Sequence, residues 1–344
     1  MVFKQIRLLT FVTPNTLKML QQRNLKALLN LFLLFTPLFT LAQTGPGGIG
    51  NGSGSSGLPR NIVWLDASDL SGTLTDGFVW ADKSGNGIDA HDTNRSSNNR
   101  VATLGTINGR NAIDFVGQSD EYLIIPDDDS GNDLLDNASE FSVLTVYETG
   151  TQDPACIIGK RNGYNNQMAW MLYHNNGRRV FSYVNNGTYG GSSTISVGSK
   201  NIQALRVNSA LSSNSVKLFL NGASAGSGGS NISIPDYSND VLIGLFHYGD
   251  TRYNKGKIAE VIIYRDALNE AEFAILNNYL AAKYQITISN DLYAYEASHG
   301  DQVIGIGQAS DGSNNTSAQG DGILAISSAD DLGNGEYLFI GHDG

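Results

Sequence analysis

The sequence of 344 residues predicts an all-β protein in which two sheets face each other as a jelly-roll sandwich. Three observations support this fold class: strand signals recur at short spacing, glycine-rich turns separate them, and a single helical pattern is found late in the chain. About a dozen strands within about 230 residues are typical of two packed sheets and less typical of an eight-stranded barrel.

The chain begins with a segment that is typical of a secretory signal peptide. Residues 1–42 carry five basic side chains and no acidic one, and the apolar run LLNLFLLFTPLFTLA ends at Ala42. The run has about 15 residues, whereas a membrane-spanning helix needs about 20. We therefore predict cleavage, export to the cell surface or medium, and no membrane span, with translation starting at Met1 or at Met19. No cysteine follows the run, which excludes a lipid-modified N-terminus.

Residues 43–57, QTGPGGIGNGSGSSG, are rich in glycine and serine and predict a flexible linker that does not pack. Removal of the signal peptide leaves 17 basic and 33 acidic residues. Nucleic acid and anionic membranes are unfavourable partners for such a surface, whereas divalent cations and neutral sugars remain compatible with it. The single cysteine, Cys156, lies in an apolar string and predicts a buried thiol.

Strand signals follow one another through residues 58–288, the predicted sandwich domain. In order they occupy residues 61–67, 101–107, 112–116, 122–126, 141–148, 155–160, 168–173, 179–184, 202–208, 215–222, 241–246 and 257–265. In SVKLFLNG, alternate side chains point to opposite faces of the strand. The pair Asn221-Gly222 then supplies the two positive φ angles of a tight hairpin turn.

The stretch LNEAEFAILNNYLAAKYQI predicts the one helix, with Asn269 and Glu272 forming a capping-box pattern. Its apolar stripe consists of Phe273, Leu276, Leu280 and Tyr284. Because this stripe must be buried, we expect the helix to pack on the end or rim of the sandwich. Strand character is expected to resume at once, in residues 286–296.

Residues 289–344 predict a partial second β module with loops rich in Asp, Gly and Ser. A segment of about 55 residues with so few apolar side chains has too small a core to fold alone. We therefore expect this module to be cut short and further domains to follow residue 344.

Several motifs resemble one known family. VWLDASDL, FVWADKSGNGIDA, VKLFLNG and DALNEAEFAILNNYLAAKY together resemble bacterial laminin-G-like, concanavalin A-like lectin and glucanase jelly-roll domains of exported Bacteroidetes-type surface proteins. The resemblance covers about residues 58–288, and the tail from Tyr293 resembles the start of an uncharacterised β domain. It implies a two-sheet sandwich, frequent calcium binding, and a role in carbohydrate binding or adhesion.

The same fold also carries glycosidases, which need two carboxylates about 5–5.5 Å apart for retaining chemistry. An E-x-D-x-E-like string on one strand is absent from the sequence, and Glu140 and Glu148 lie at opposite ends of a strand. We therefore predict a protein that is not an enzyme.

The turn ADKSGNG begins with Asp82, whose carboxylate suits either a plain Asx turn or a calcium ion. In related sandwiches a cation ties the early turn to the last strand. The resemblance therefore implies Asp66, Asp82 and Glu260 as calcium ligands, with the plain turn as the alternative.

Loop aromatics mixed with Asn and Asp are the candidates for sugar contacts, although a structural role is the alternative for each. They are Tyr164, Tyr189, His247, Tyr248 and Tyr253. The sequence thus predicts a secreted, non-enzymatic module that binds carbohydrate or a cell-surface glycan, with structural Ca²⁺. The alternatives are a spacer or adhesion module without a sugar site, and a divergent glycoside hydrolase.

Overall fold

A computed structural model describes residues 44–50, 60–92, 102–117, 121–127, 134–162, 167–326 and 329–343. The predicted signal peptide and residues 51–57 of the predicted linker lie outside these ranges. Met1–Leu41 and Ala42–Gly344 are separate units, and all the described elements belong to the second. No helix within the described ranges combines the length and hydrophobicity that crossing a membrane requires.

Sixteen strands build the sandwich in chain order. They are β1 (Asn61–Asp66), β2 (Val79–Trp80), β3 (Ala90–His91), β4 (Thr103–Ile107), β5 (Arg110–Asp114), β6 (Leu123–Ile125), β7 (Glu140–Glu148), β8 (Ala155–Asn162), β9 (Gln167–Asn175), β10 (Arg179–Val184), β11 (Gly187–Thr194), β12 (Lys200–Asn208), β13 (Val216–Leu220), β14 (Ala223–Gly228), β15 (Val241–Ile243) and β16 (Lys257–Tyr264). Two helices follow, α1 (Glu270–Tyr284) and α2 (Glu296–His299). The described elements end with β17 (Asp301–Gln308), β18 (Asn314–Asn315), β19 (Ala318–Gln319), β20 (Ala325–Ile326) and β21 (Tyr337–His342).

The sandwich strands form two eight-stranded antiparallel sheets, which confirms the predicted fold class. The first sheet has the order β14-β13-β12-β7-β16-β5-β4, and β1 also pairs with β16. The second has the order β11-β10-β9-β8-β15-β6-β3-β2. Between them lies an apolar core that includes the fully buried Trp80, Phe141 and Trp170.

The sequence analysis missed strands β2, β3, β11 and β14, of which the last two close one side of the sandwich. β11 and β14 are rich in Gly and Ser, so they carry no apolar pattern. Each is held by backbone pairing within its own sheet, β11 with β10 and β14 with β13. A Cβ on Gly226 would lie only 2.6 Å from the Cα of Gly190. The two strands therefore approach each other closely because neither residue has a side chain.

Helix α1 begins with the predicted capping box. The Asn269 side chain accepts a hydrogen bond from the Glu272 N–H at 3.0 Å, and Glu272 Oε2 accepts one from the Asn269 N–H at 3.1 Å. The predicted stripe is buried, from Phe273 at 6% exposure to Leu276, Leu280 and Tyr284 at 0%. The capping and the stripe are thus both confirmed.

The predicted position of the helix was wrong, because α1 lies across the outer face of the first sheet and not on the rim. It packs there on Trp64, Leu144, Ile202 and Ile262. The reason is that the central strands of this sheet are apolar on both faces: in β16 every residue after Lys257 is buried. A strand that is apolar on both sides needs a cover on each.

The C-terminal residues cover the other side of α1. Strands β18, β17 and β21 form a small sheet, and residues from β17 pack in the same apolar cluster as α1. Every residue of the helix from Ala271 to Tyr284 is therefore buried. The strand expected at residues 286–296 was wrong, because this segment has no strand and ends in the short helix α2.

Part of the predicted linker also differs from the expectation of an unpacked tether. Pro46 to Ile49 is buried, and the Ile49 carbonyl accepts a hydrogen bond from the Tyr264 hydroxyl at 3.0 Å. A Cβ on Gly48, which has φ +81°, would lie 2.6 Å from the Cβ of Ala318. Glycine thus lets the backbone pass close to the C-terminal segment.

Candidate functional site

The candidate residues gather in two places. The ion cluster consists of Asp66, Glu260, Lys83 and Lys283 and lies between the first sheet and α1. The aromatic face lies on the outer side of the second sheet and consists of Tyr122, Tyr173, Phe181, Tyr183, Phe246, Tyr248 and Tyr253.

Glu260 is the centre of the ion cluster and has no exposed surface. Its Oε1 accepts hydrogen bonds from Trp64 Nε1 at 2.8 Å and the Tyr279 hydroxyl at 2.9 Å. Its Oε2 accepts from Lys283 Nζ at 2.8 Å and the Tyr284 hydroxyl at 2.9 Å. Burial raises the pKa of the Glu260 carboxyl above its ordinary value, although the Lys283 ammonium opposes this.

Asp66 completes the cluster from the end of β1. Its Oδ2 lies 2.6 Å from Lys283 Nζ and 3.1 Å from Lys83 Nζ. Burial alone would raise the pKa of Asp66, but the two ammonium groups outweigh it and hold the pKa well below its usual range. The cluster therefore joins β1, β16 and α1 through ionised groups that are largely hidden from water.

Asp82 organises the turn that follows β2. Its Oδ1 accepts from the Trp64 and Ser84 N–H groups, each at 2.9 Å, and its Oδ2 accepts from Ser84 Oγ at 2.6 Å and the Ile88 N–H at 3.2 Å. Gly85 supplies a positive φ of 87° in the same turn. These contacts are those of the plain Asx turn that was the alternative to a calcium site.

The structure brings the three predicted calcium ligands to the end of β1, where Asp66 pairs with Glu260 of β16 and Leu65 bridges to Asp82. Lysine ammonium, hydroxyl and amide groups already contact their oxygens. In the described ranges, no three His, Cys, Asp or Glu side chains are grouped as metal ligands. Calcium at these carboxylates stays a prediction.

Asp66 and Glu260 are also close enough to raise the question of a glycosidase pair, because both contact the same ammonium group. A cavity of about 290 Å³ beside the cluster is lined by Asp66, Lys83 and Lys283, but not by Glu260. Since Glu260 has no exposed surface, the two carboxylates do not face each other across an open cleft as glycoside hydrolysis requires.

The first part of the aromatic face lies on β9 and β10. The Tyr173 ring stacks on Tyr183 at 4.7 Å and on Phe181 at 5.4 Å between centroids, and the Phe246 ring meets it edge-on at 5.7 Å. These rings point away from the core because alternate residues of the same strands, such as Val180, point into it. Phe181 and Tyr183 keep part of their surface exposed.

The second part of the aromatic face is a group of three tyrosines. Tyr122 is 6.1 Å from Tyr248 and 6.4 Å from Tyr253 between ring centroids. Tyr248 is 40% exposed, and its hydroxyl donates to Asp240 Oδ2. Asp240 Oδ1 in turn accepts from the Asp127 N–H at 3.0 Å. Tyr248 therefore presents an open ring whose orientation is fixed by a hydrogen bond.

Of the five residues predicted to contact sugar, the structure places Tyr248 and Tyr253 together on the aromatic face. His247 is 1% exposed, with Nδ1 2.8 Å from the Tyr248 carbonyl and Nε2 3.1 Å from Asp250 Oδ2. It therefore shapes the loop from within. Tyr189 packs, partly buried, against the core between the sheets. Tyr164 lies outside the described residues.

Sequence reasoning missed the rings that lie in the strands of the second sheet or beside them. The missed members are Tyr122, Tyr173, Phe181, Tyr183 and Phe246. A signal was present, because MAWMLY and RVFSYV carry large apolar or aromatic side chains on both alternating faces. Such strands predict that the outer face, as well as the core face, holds aromatic rings.

The fold is an antiparallel β-sandwich of two eight-stranded sheets in the described part of the chain. Residues 116–274 match the family model described as the Concanavalin A-like lectin/glucanases superfamily. This match confirms the resemblance to concanavalin A-like domains found in the sequence. No curated protein sequence matches the chain.

Three solved structures are similar to this chain at low identity. The Trypanosoma rangeli sialidase in complex with sialic acid is 16% identical with a TM-score of 0.47, over 69% of this chain and 35% of the sialidase. Domain 4 of AbnA, a GH43 extracellular arabinanase from Geobacillus stearothermophilus, in complex with arabinotriose, is 17% identical with a TM-score of 0.46. The match covers 64% of this chain and 97% of that domain. The binding domain of Paraclostridial Mosquitocidal Protein 1 is 14% identical with a TM-score of 0.47, and the match covers 64% of this chain and 52% of the binding domain. The chain thus spans about a third of the length of the sialidase that it matches.

Proposed function

We propose that the chain is a non-enzymatic module that binds carbohydrate on the aromatic face of the second sheet. The observation that carries the proposal is Tyr248, an exposed ring held in place by Asp240 beside two further tyrosines. A sugar ring has apolar C–H faces and polar edges. Flat rings can cover the faces while their hydroxyl groups and neighbouring carboxylates take the edges.

The superfamily includes both lectins and glucanases by its description, so the fold leaves the choice between binding and hydrolysis to the site. The buried position of Glu260 supports binding, because an inaccessible carboxylate cannot act on a glycosidic bond. The presence of rings on the outer face supports a binding module over a spacer, whose exposed face needs only small polar side chains.

The proposed setting is the cell surface or the medium, and the support for it is the basic and apolar pattern of residues 1–42. Adhesion to surface glycans is the form that carbohydrate binding would take in a larger exported protein. Calcium is proposed only as structural support, with its test given below.

The experiment is a glycan-array screen of the mature chain, run with Ca²⁺ and with chelator. We expect Tyr248→Ala to weaken binding of any recognised glycan about tenfold or more, because it removes the exposed stacking surface. Tyr248→Phe keeps the ring and should keep most of the affinity. Tyr295→Ala is the matched control, since Tyr295 is 65% exposed and lies outside the aromatic face. Absence of binding to every glycan in both conditions would contradict the proposal and leave the spacer alternative.

A further inference from the structure

Charged residues are separated along the chain in a way that the net charge hides. Residues 154–235 contain seven basic side chains and no acidic one, whereas the rest of the chain contains 15 basic and 33 acidic residues. This stretch forms β8 to β14 and so provides the half of the second sheet that carries Tyr173, Phe181 and Tyr183. An acidic protein thus has a basic segment that builds part of its aromatic face.

Most of the seven basic side chains have partners. Lys160 contacts Asp127 and Asp136, Lys200 contacts Glu148, Arg206 and Lys217 contact Glu270, and Arg178 donates to the Thr151 carbonyl. Within the described ranges, the guanidinium groups of Arg161, Arg178 and Arg179 form no ion pair with a carboxylate, and that of Arg178 donates instead to a backbone carbonyl. In a chain with so many more acids than bases, Arg161 and Arg179 are therefore candidates for contact with an anion from outside the described part of the chain.

Arg161 lies on the aromatic face. Its guanidinium carbon is 5.9 Å from the centroid of the Tyr183 ring, and its Nε is buried without a hydrogen-bond partner in the described part of the chain. A ring at this distance attracts the guanidinium group and restricts its position, and the planar guanidinium shape suits an anion bound side by side. A planar carboxylate or a sulfate ester is the group that fits this arrangement.

Arg179 lies at the other end of the same ring row. It is exposed, and strand alternation puts it on the same side of β10 as Phe181 and Tyr183. Four residues separate it from Tyr183, which is about 13 Å along a strand. The two guanidinium groups are therefore spaced for a ligand with repeated negative charges more than for a single sugar.

We infer that the ligand of the aromatic face is an anionic polysaccharide, with its sugar rings on the tyrosines and its acid groups on Arg161 and Arg179. This inference rests on the proposed function and adds the class of glycan to it. The net negative charge of the whole protein does not prevent such binding. Charges farther than about 8 Å away are largely screened at physiological ionic strength, so the basic groups beside the aromatic face determine its electrostatic attraction for a ligand.

The test compares two polymers that share a backbone and differ in charge: polygalacturonate and its methyl ester. Isothermal titration calorimetry of the mature chain should show binding to the acid form at least about tenfold tighter than to the ester. Arg161→Gln and Arg179→Gln should each weaken binding of the acid form roughly tenfold or more, since charged hydrogen bonds are lost. The affinity of Arg161→Lys for the acid form should lie between those of the wild type and Arg161→Gln, because an ammonium group keeps the charge but lacks the planar fork of guanidinium.

Lys217→Gln is the control, because it removes the same charge from the basic segment but on the first sheet. It should leave binding unchanged, and all variants should keep the wild-type melting temperature. Equal binding of the two polymers, or full affinity in both arginine variants, overturns the inference. If neutral glycans bind and Tyr248→Ala abolishes their binding while Arg161→Gln does not, the proposed function stands without the inference. If neither acidic nor neutral glycans bind, both the proposed function and the inference are contradicted.

Discussion

Replacement of Lys283 by Met is expected to show how strongly the ion cluster holds the helix on the sheet. Lys283 Nζ lies 2.8 Å from Glu260 Oε2 and 2.6 Å from Asp66 Oδ2, and its side chain is only 8% exposed. Met has a similar length but no charge, so Glu260 would be left as a buried carboxylate without a cation. Loss of one partner of a buried ion pair costs about 3–5 kcal/mol.

The free energy of unfolding is measured by urea denaturation at pH 7, with the melting temperature as a second readout. For a domain of this size the expected loss corresponds to a fall in melting temperature on the order of 10 °C. Lys83→Met is the control: Lys83 is 20% exposed, so we expect a loss of about 1 kcal/mol. A loss below about 1 kcal/mol for Lys283→Met would refute the reasoning.

The pH dependence of the variant gives an independent check. Burial already raises the pKa of Glu260 above its ordinary value of 4.5, and the variant lacks the ammonium group that opposes this. Between pH 4.5 and the raised pKa, the folded variant binds a proton that the unfolded chain does not. Its free energy of unfolding should therefore rise as the pH falls through this window. At pH 7, Glu260→Gln combined with Lys283→Met should be more stable than Lys283→Met alone.

Three further outcomes are expected. Lys160→Met should lower the free energy of unfolding in urea by about 3 kcal/mol, because the fully buried Lys160 Nζ lies 2.7 Å from Asp136 Oδ2 and 3.1 Å from Asp127 Oδ1; a change within about 0.5 kcal/mol would count against a paired role. Asn269→Ala should lower the free energy of unfolding by about 1 kcal/mol in the same assay, because it removes the helix cap, while Asn269→Asp should keep the cap and the wild-type stability. If calcium supports the fold as proposed, the melting temperature should be higher in excess Ca²⁺ than in EDTA, because a ligand of the folded state stabilises it; equal melting temperatures would contradict the calcium proposal and leave Lys283 as the cation that Asp66 and Glu260 share.

The fold class and the helix could be predicted from the sequence because their signals are local. Alternating apolar residues mark a strand, and the capping pattern of Asn269 and Glu272 marks the start of a helix. Strands β11 and β14 were missed because their Gly and Ser side chains give no such pattern. They are held by neighbours far away in the sequence.

The position of the helix had a signal that was not used. β16 reads KIAEVIIY, an almost continuous apolar run, which is typical of a strand covered on both faces. One cover is the second sheet, and the other had to be α1 with its long apolar stripe. The C-terminal sheet then covers the remaining side of the helix, which residue patterns alone do not show.

The candidate site was only partly predictable. Tyr248 and Tyr253 were identified because they lie in a loop rich in polar residues, whereas Tyr122 and Tyr173 lie in or beside strands and were not among the candidates. The contacts within the ion cluster could not be predicted for a different reason. Lys283 and Glu260 are 23 residues apart, and only the tertiary fold brings the ammonium group to the carboxylate that was assigned to calcium.

Both described chain ends pack on the side of the sandwich that carries α1, the back, whereas the aromatic face on the second sheet forms the opposite side, the front. Ile49 and the Tyr337–His342 strand lie with α1 and the small C-terminal sheet, while the tyrosine rings lie on the opposite sheet. An affinity tag joined at either end would anchor the back to a sensor chip and turn the rings toward the flowing sample. Immobilised protein should then capture a soluble polymer as readily as protein free in solution.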